Sequence, residues 1–147
     1  LNENGKYTVT DEILQEIKAL FAAGCCDDTQ TKQTIGEVYN TYNYLCDTHT
    51  AVAVRVYEDY RKQTGDTAPA VIASTASPFK FSAAVLEAVN NGAELPADEF
   101  GMVDALQAKT GVAAPVQLTA LKGATPRFTG ICKKEDMREV VFNMLGI

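Results

Sequence analysis

The residues best suited to chemistry fall in two short stretches. In "VIASTASPFKF", residues 71–81, an apolar run stops at the hydroxyl pair Ser74-Thr75, passes through Ser77-Pro78 and reaches Lys80 between Phe79 and Phe81. Ligands of α/β sheets bind beyond the carboxyl ends of strands. A hydroxyl there can donate to, or accept from, a heterocyclic nitrogen without adding charge. The same hydroxyls suit an N-cap for the helix expected from Pro78. Lys80 falls in the first turn of that helix, where the dipole disfavours a cation. It either meets an anionic ligand or runs its stem over apolar surface to water.

The second stretch is "CDTHTAVAV", residues 46–54, in which Asp47, Thr48, His49 and Thr50 crowd a helix start. Backbone N–H groups at such a start point at whatever lies ahead of it. His49 is the only histidine of the chain, and imidazole suits proton transfer or contact with a phosphate. A capping cluster with an incidental histidine accounts for the same residues. Cys46 and His49 have a C-x-x-H spacing, but no second Cys or His pair completes a tetrahedral zinc site. No Ser-His-Asp arrangement, G-x-G-x-x-G or P-loop is evident. Asp27-Asp28 and Glu58-Asp59 read as solvated helix termini.

The elements that must position these residues are mostly helical. Thr10 caps "DEILQEIKALFAAG", with Ile13, Ile17, Leu20 and Phe21 on one face. A second helix, "DDTQTKQTIGEVYNTYNYL", carries a stripe of Ile35, Val38, Tyr39 and Tyr42. A third runs from a cap at Asp47 or Thr48 to Gly65; it is apolar almost all round at its start, which predicts two buried turns. "PAVIAS", residues 69–74, has the composition and flanks of a strand and lacks polar alternation, as a strand covered on both faces would. A fourth helix from Pro78 carries Phe81, Val85, Leu86 and Val89 and stops at Asn91-Gly92. A fifth opens at Pro96 and Asp98, runs through Leu106, and is closed by Gly111. "PVQLTAL" suits a helical turn or two, and residues 127–131 a weak strand. A last amphipathic helix, residues 134–145, turns Met137, Val140, Val141 and Met144 inward.

This pattern predicts an α/β fold: helix-rich, with one clear strand belonging to a parallel sheet. The 147 residues suit a single compact unit, able to bury roughly 68–70% of its unfolded surface. A net charge of −6 argues against a nucleic-acid surface, because phosphate binding needs clustered Lys and Arg. No apolar run approaches the ~20 residues of a membrane span, and no signal sequence is read at the start. The four cysteines are spaced as free thiols of a reducing cytosol rather than as a disulfide framework. The expected location is therefore cytoplasmic. The chain begins at Leu1 rather than Met, and one strand is little sheet for an α/β domain; both suggest a piece of something longer.

"DTHTAVAV" followed by "TGDTAPAVIASTASPFKF" closely resembles the late part of bacterial threonine synthases. That family carries a D-P-H-T-A-V-like helix start and an S-T-A-H-P-A-K-F-like strand end at about this separation. The resemblance extends back through "GKYTVTDEILQEIKALFAAGCCDD" and "IGEVYNTYNYL", and is looser after Asn91. It implies the C-terminal part of a pyridoxal 5'-phosphate enzyme with the three-layer, parallel-sheet fold of the tryptophan synthase β subunit. Such an enzyme converts O-phospho-L-homoserine and water to L-threonine and phosphate, with the cofactor as electron sink. By this resemblance Thr75, and next Ser74, match the hydroxyl that faces the pyridine nitrogen, leaving it largely unprotonated. His49, Asp47 and Lys80 fall on the substrate side.

Two positions depart from the family pattern: Thr48 stands in place of a proline, and Ser77 in place of a histidine whose role does not carry over. The family's Schiff-base lysine and cofactor-phosphate loop lie upstream of these motifs and have no counterpart here. The resemblance therefore implies a segment that supplies one wall of the active site, holds no catalytic residue and no metal, and is inactive alone. An exposed strand edge and apolar surface would favour its self-association. The alternative is a non-catalytic binding or interaction module that keeps a remnant of the fold.

Overall fold

Helix starts follow the capping chemistry, although the first helix ends at Leu20 rather than Gly24 and the second at Tyr42 rather than Leu45. The structure, a computed structural model, describes residues 5–90 and 92–147. Thr10 opens α1 (Asp11–Leu20), its hydroxyl accepting from the Ile13 N–H. Asp27 opens α2 (Asp28–Tyr42) with a capping box: Asp27 Oδ1 accepts from the Gln30 N–H at 2.8 Å, and Gln30 Oε1 accepts from the Asp27 N–H at 3.0 Å. Two orphan donors are satisfied reciprocally. Asn43 ends α2 with φ 52°, a left-handed conformation that Asn tolerates better than most residues. Asp47 caps α3 (Thr48–Thr64), and Gly65 closes it at φ 72°. A 3₁₀ turn (Pro78–Phe81) capped by Ser77 leads into α4 (Ser82–Val89), and α5 (Glu99–Thr110) runs from an Asp98 cap to Gly111. Asn91, half of the expected stop after α4, lies outside the described residues.

The chain divides into two compact units, residues 1–115 and 116–147. In the first, α2 packs against both α3 and α4, and α4 against α5. Ile35, Ala51, Val85, Leu86 and Leu106 form the solvent-free centre. Gly36 permits the α2–α4 approach: a Cβ there would stand 3.0 Å from the Ala88 carbonyl oxygen. The second unit holds the short helix α6 (Val116–Thr119), a 3₁₀ turn (Lys134–Asp136) and α7 (Met137–Leu145). None of its residues is buried, and 32 residues are too few to enclose a core unaided.

The α/β expectation is wrong for this chain. The described residues are helical and irregular, with no strand and no sheet. Residues 69–74 have strand composition but no second strand to pair with, and a ladder needs two. Nor is this run covered on both faces, for Val71 is 99% exposed. Residues 127–131 likewise form no strand. The three-layer parallel sheet is therefore absent from the described residues, and helix-on-helix packing builds the core.

Several apolar stripes also lack the burial their spacing suggested. Ile13, Ile17, Leu20 and Phe21 do line one face of α1, yet all four are exposed. The same holds for Met137, Val141 and Met144 of α7. In the first two turns of α3 only Thr50 and Ala51 are buried. Periodicity reports which face is apolar, whereas burial needs an opposing surface. No described helix is long and apolar enough to cross a membrane.

Candidate active-site wall at the start of α3

Asp47 is the centre of the arrangement. Its side chain is fully buried, and both carboxylate oxygens are occupied. Oδ1 accepts from the backbone N–H of His49 at 2.9 Å and of Thr50 at 3.4 Å, and lies 3.2 Å from His49 Nδ1. Oδ2 accepts a hydrogen bond from the Thr50 hydroxyl. Burial alone would raise the carboxyl pKa, but the Thr50 hydroxyl, the two backbone donors and the His49 ring together hold it below the ordinary carboxylate value. Asp47 is thus an anion inside the fold. Neighbouring Cys46 feels the opposite pressure: burial, reinforced by the Asp47 charge, pushes its thiol up to about 11.

From Asp47 the contacts spread to the other stretch. Thr50 Oγ1 lies 2.9 Å from Ser74 Oγ, and the Tyr44 hydroxyl donates to Ser74 at 3.3 Å. Thr50 has one hydroxyl proton, and the carboxylate is its stronger acceptor. The proton between Thr50 and Ser74 therefore comes from Ser74. Ser74 is left facing outward with a lone pair, while the exposed Thr75 has no side-chain hydrogen bond among the described residues. Ser77 takes the capping role, its Oγ accepting from the Phe79 N–H at 3.3 Å. That frees Ser74 and Thr75 from the duty which competed with a ligand role.

His49 projects from this base with its side chain 71% exposed. Its ring lies 5.0 Å from that of Phe81, centroid to centroid, at an interplanar angle of 56°. Lys80 Nζ is 6.0 Å from the same Phe81 ring. Asp47, His49 and Ser74 are therefore joined through hydrogen bonds, and Lys80 is brought near by Phe81. Thr75 adjoins the cluster in sequence without a bond to it. A cleft of about 540 Å³ opens beside His49, lined also by Thr48, Val52, Lys32, Ala84 and Glu87. The Lys32–Glu87 ion pair, 2.8 Å, links two of its lining residues. Another cleft, about 610 Å³ and lined by Leu20, Gly24, Cys25, Val56 and Tyr60, contains none of the expected site residues.

Sequence reasoning includes Thr50 in the cluster without giving it a role of its own, and misses Tyr44. Thr50 has a signal, standing three residues after the capping Asp47, which places its hydroxyl over the carboxylate. Tyr44 has none, because its reach to Ser74 depends on how residues 65–77 return across the start of α3. The four cysteines are free thiols: Cys25 and Cys132 exposed, Cys26 half-buried and Cys46 buried. No cluster of three or more potential metal ligands occurs among the described residues.

This arrangement gives the helical chain a polar wall: a buried carboxylate, an oriented imidazole and exposed hydroxyls. The chain belongs to the family described as threonine synthase, C-terminal, whose model matches residues 50–141. Ser74, Thr75 and Lys80 fall inside the match, and Asp47 and His49 immediately precede it. The chain is 38% identical to the threonine synthase of Pseudomonas aeruginosa over 95 residues, 64% of this chain and 20% of that protein. It is 29% identical to the threonine synthase of Corynebacterium glutamicum over 104 residues, 69% and 21% of the two chains. Human threonine synthase-like 1 is 29% identical over 89 residues, 60% of this chain and 12% of that one. The matched stretch is thus about a fifth of each threonine synthase.

Proposed function

We propose that this chain is the C-terminal portion of a threonine synthase, in which the start of α3 and residues 74–81 form one wall of a pyridoxal 5'-phosphate site. The reaction is the conversion of O-phospho-L-homoserine and water to L-threonine and phosphate. The observation that carries the reading is the juxtaposition of both family-like motifs, Asp47–His49 and Ser74, across the Thr50 hydroxyl.

The residues fit one edge of the cofactor. Thr75 offers an exposed hydroxyl with no side-chain hydrogen bond among the described residues, suited to the pyridine nitrogen, with Ser74 beside it as an acceptor. A neutral hydroxyl partner leaves that nitrogen largely unprotonated. When bound, the group supplies an electron sink for substrate carbanions. His49 offers its exposed ring to the substrate or its phosphate, and Asp47 fixes the orientation of that ring. Lys80, beyond Phe81, offers a cation to the substrate phosphate. In this reading the Schiff-base lysine and the phosphate cradle belong to the upstream part of the enzyme, and the segment alone is inactive.

Mixing the chain with pyridoxal 5'-phosphate, reducing with borohydride and measuring intact and peptide masses tests this division of labour. The expected result is no adduct, or one scattered thinly over surface lysines. A stoichiometric adduct on a single lysine, Lys80 for instance, would show a self-sufficient cofactor site and overturn the reading.

A further inference from the structure

We infer that Thr50 is a positioning residue: acting through Asp47, it holds His49 in the tautomer protonated at Nδ1, so that Nε2 is the basic nitrogen presented to the site. The inference deepens the proposed role of His49 and rests on that reading for its functional meaning, but its physical content belongs to this chain alone.

Charge sets the direction of the 3.2 Å contact between His49 Nδ1 and Asp47 Oδ1. An ionised carboxylate only accepts hydrogen bonds. A bare Nδ1 lone pair facing it at this distance would be repelled, so Nδ1 carries the proton. Thr48 Oγ1 lies 3.4 Å from the same nitrogen. A hydroxyl can serve as donor or acceptor, so Thr48 adapts to the choice the carboxylate has made.

Hydrogen-bond donors keep the carboxylate in place and charged. Three donors converge on Oδ1, but Oδ2 has the Thr50 hydroxyl as its donor. Asp47 is fully buried, and a buried carboxylate oxygen without a donor is costly. Without the Thr50 hydroxyl, Asp47 would take up a proton or rotate in search of another donor, and either change removes the fixed acceptor from Nδ1. His49, largely exposed, would then revert toward the Nε2-protonated form that free imidazole side chains prefer. The same hydroxyl orders Ser74, 2.9 Å away. Thr50 thus contacts two groups of the wall while itself buried.

Because His49 is the only histidine, long-range proton–nitrogen NMR spectra of the whole chain report one imidazole. They are read at alkaline pH. The wild-type spectrum is expected to show a protonated Nδ1 and a bare Nε2. Thr50→Ser keeps that pattern, Thr48→Val keeps it, and Thr50→Val shifts the population severalfold toward protonated Nε2 with the helical circular dichroism unchanged. Should the valine variant fail to fold, Thr50→Ala removes the same hydroxyl with less bulk and gives the same readout. A wild-type chain protonated at Nε2 would overturn the inference, as would a Thr50→Val or Thr50→Ala spectrum identical to wild type. No cofactor or activity enters this measurement, so its failure is distinct from failure of the enzyme reading.

Discussion

Asp47 shows how one side chain can serve fold and site together. It caps α3 and, through the same oxygens, orients His49 and orders Thr50. Its pKa is held below the ordinary 3.8, which fixes the direction of its pH effect. The native state keeps the anion to a lower pH than the unfolded chain does. Its contribution is therefore fully present above about pH 4 and is lost as pH falls below 3.8 through the native value. The isosteric Asp47→Asn change keeps the shape and removes the charge. Denaturant titrations should find the variant less stable by about 1 kcal/mol at pH 7, the difference between charged and neutral hydrogen bonds. The gap should close as wild type is acidified. A gap independent of pH between 3 and 7 would show that the carboxylate is not held as an anion. At this scale type and spacing single out Asp47, His49, Ser74, Thr75 and Lys80; hydrogen bonds join the first three, Phe81 stands beside both His49 and Lys80, and Thr75 has no bond to them. The Thr50 bridge needed three-dimensional detail, since a threonine near a helix start is ordinary.

At the scale of elements, the helix caps were the most readable feature. Thr10, Asp47, Asp98, Gly65 and Gly111 act where capping chemistry placed them, because a cap depends on residues only two to four positions away. Residues 69–74 were misread for the complementary reason: local composition describes a strand's fitness, but its existence depends on a distant partner. Gly36 is a further non-local feature, visible only once α2 and α4 are opposed. Its bare Cα lets the helices meet with the Ala88 carbonyl 3.0 Å from where a Cβ would sit. A Gly36→Val substitution gains intrinsic helix propensity but must push against packed backbone. Overpacking of this kind costs roughly 1–3 kcal/mol, so the thermal midpoint should fall. An unchanged or higher midpoint would mean that the two helices separate freely and are not locked at this contact.

For the whole molecule, the sequence pointed to the threonine synthase family and overreached on architecture. A sheet is expected here from one run of strand composition, and its three-layer form from the family resemblance, whereas the described residues pack helix on helix. Exposed apolar faces on α1 and α7 are likewise invisible to periodicity, which cannot say whether a stripe has a partner. What stands is family membership and a helical chain in which the Asp47–His49 turn and Ser74 are joined through Thr50. The most direct test of that central claim is functional exchange. Residues 50–141 of this chain, with the preceding Asp47–His49 turn, would replace the matching stretch of the Pseudomonas aeruginosa threonine synthase, and phosphate release from O-phospho-L-homoserine would be measured. An active chimera is expected, its rate falling by roughly 10–100-fold, the loss of one or two hydrogen bonds to charged groups, when His49→Ala, Ser74→Ala and Thr75→Val are combined. A folded, cofactor-loaded chimera that releases no phosphate, or a triple variant as fast as its parent, would contradict it.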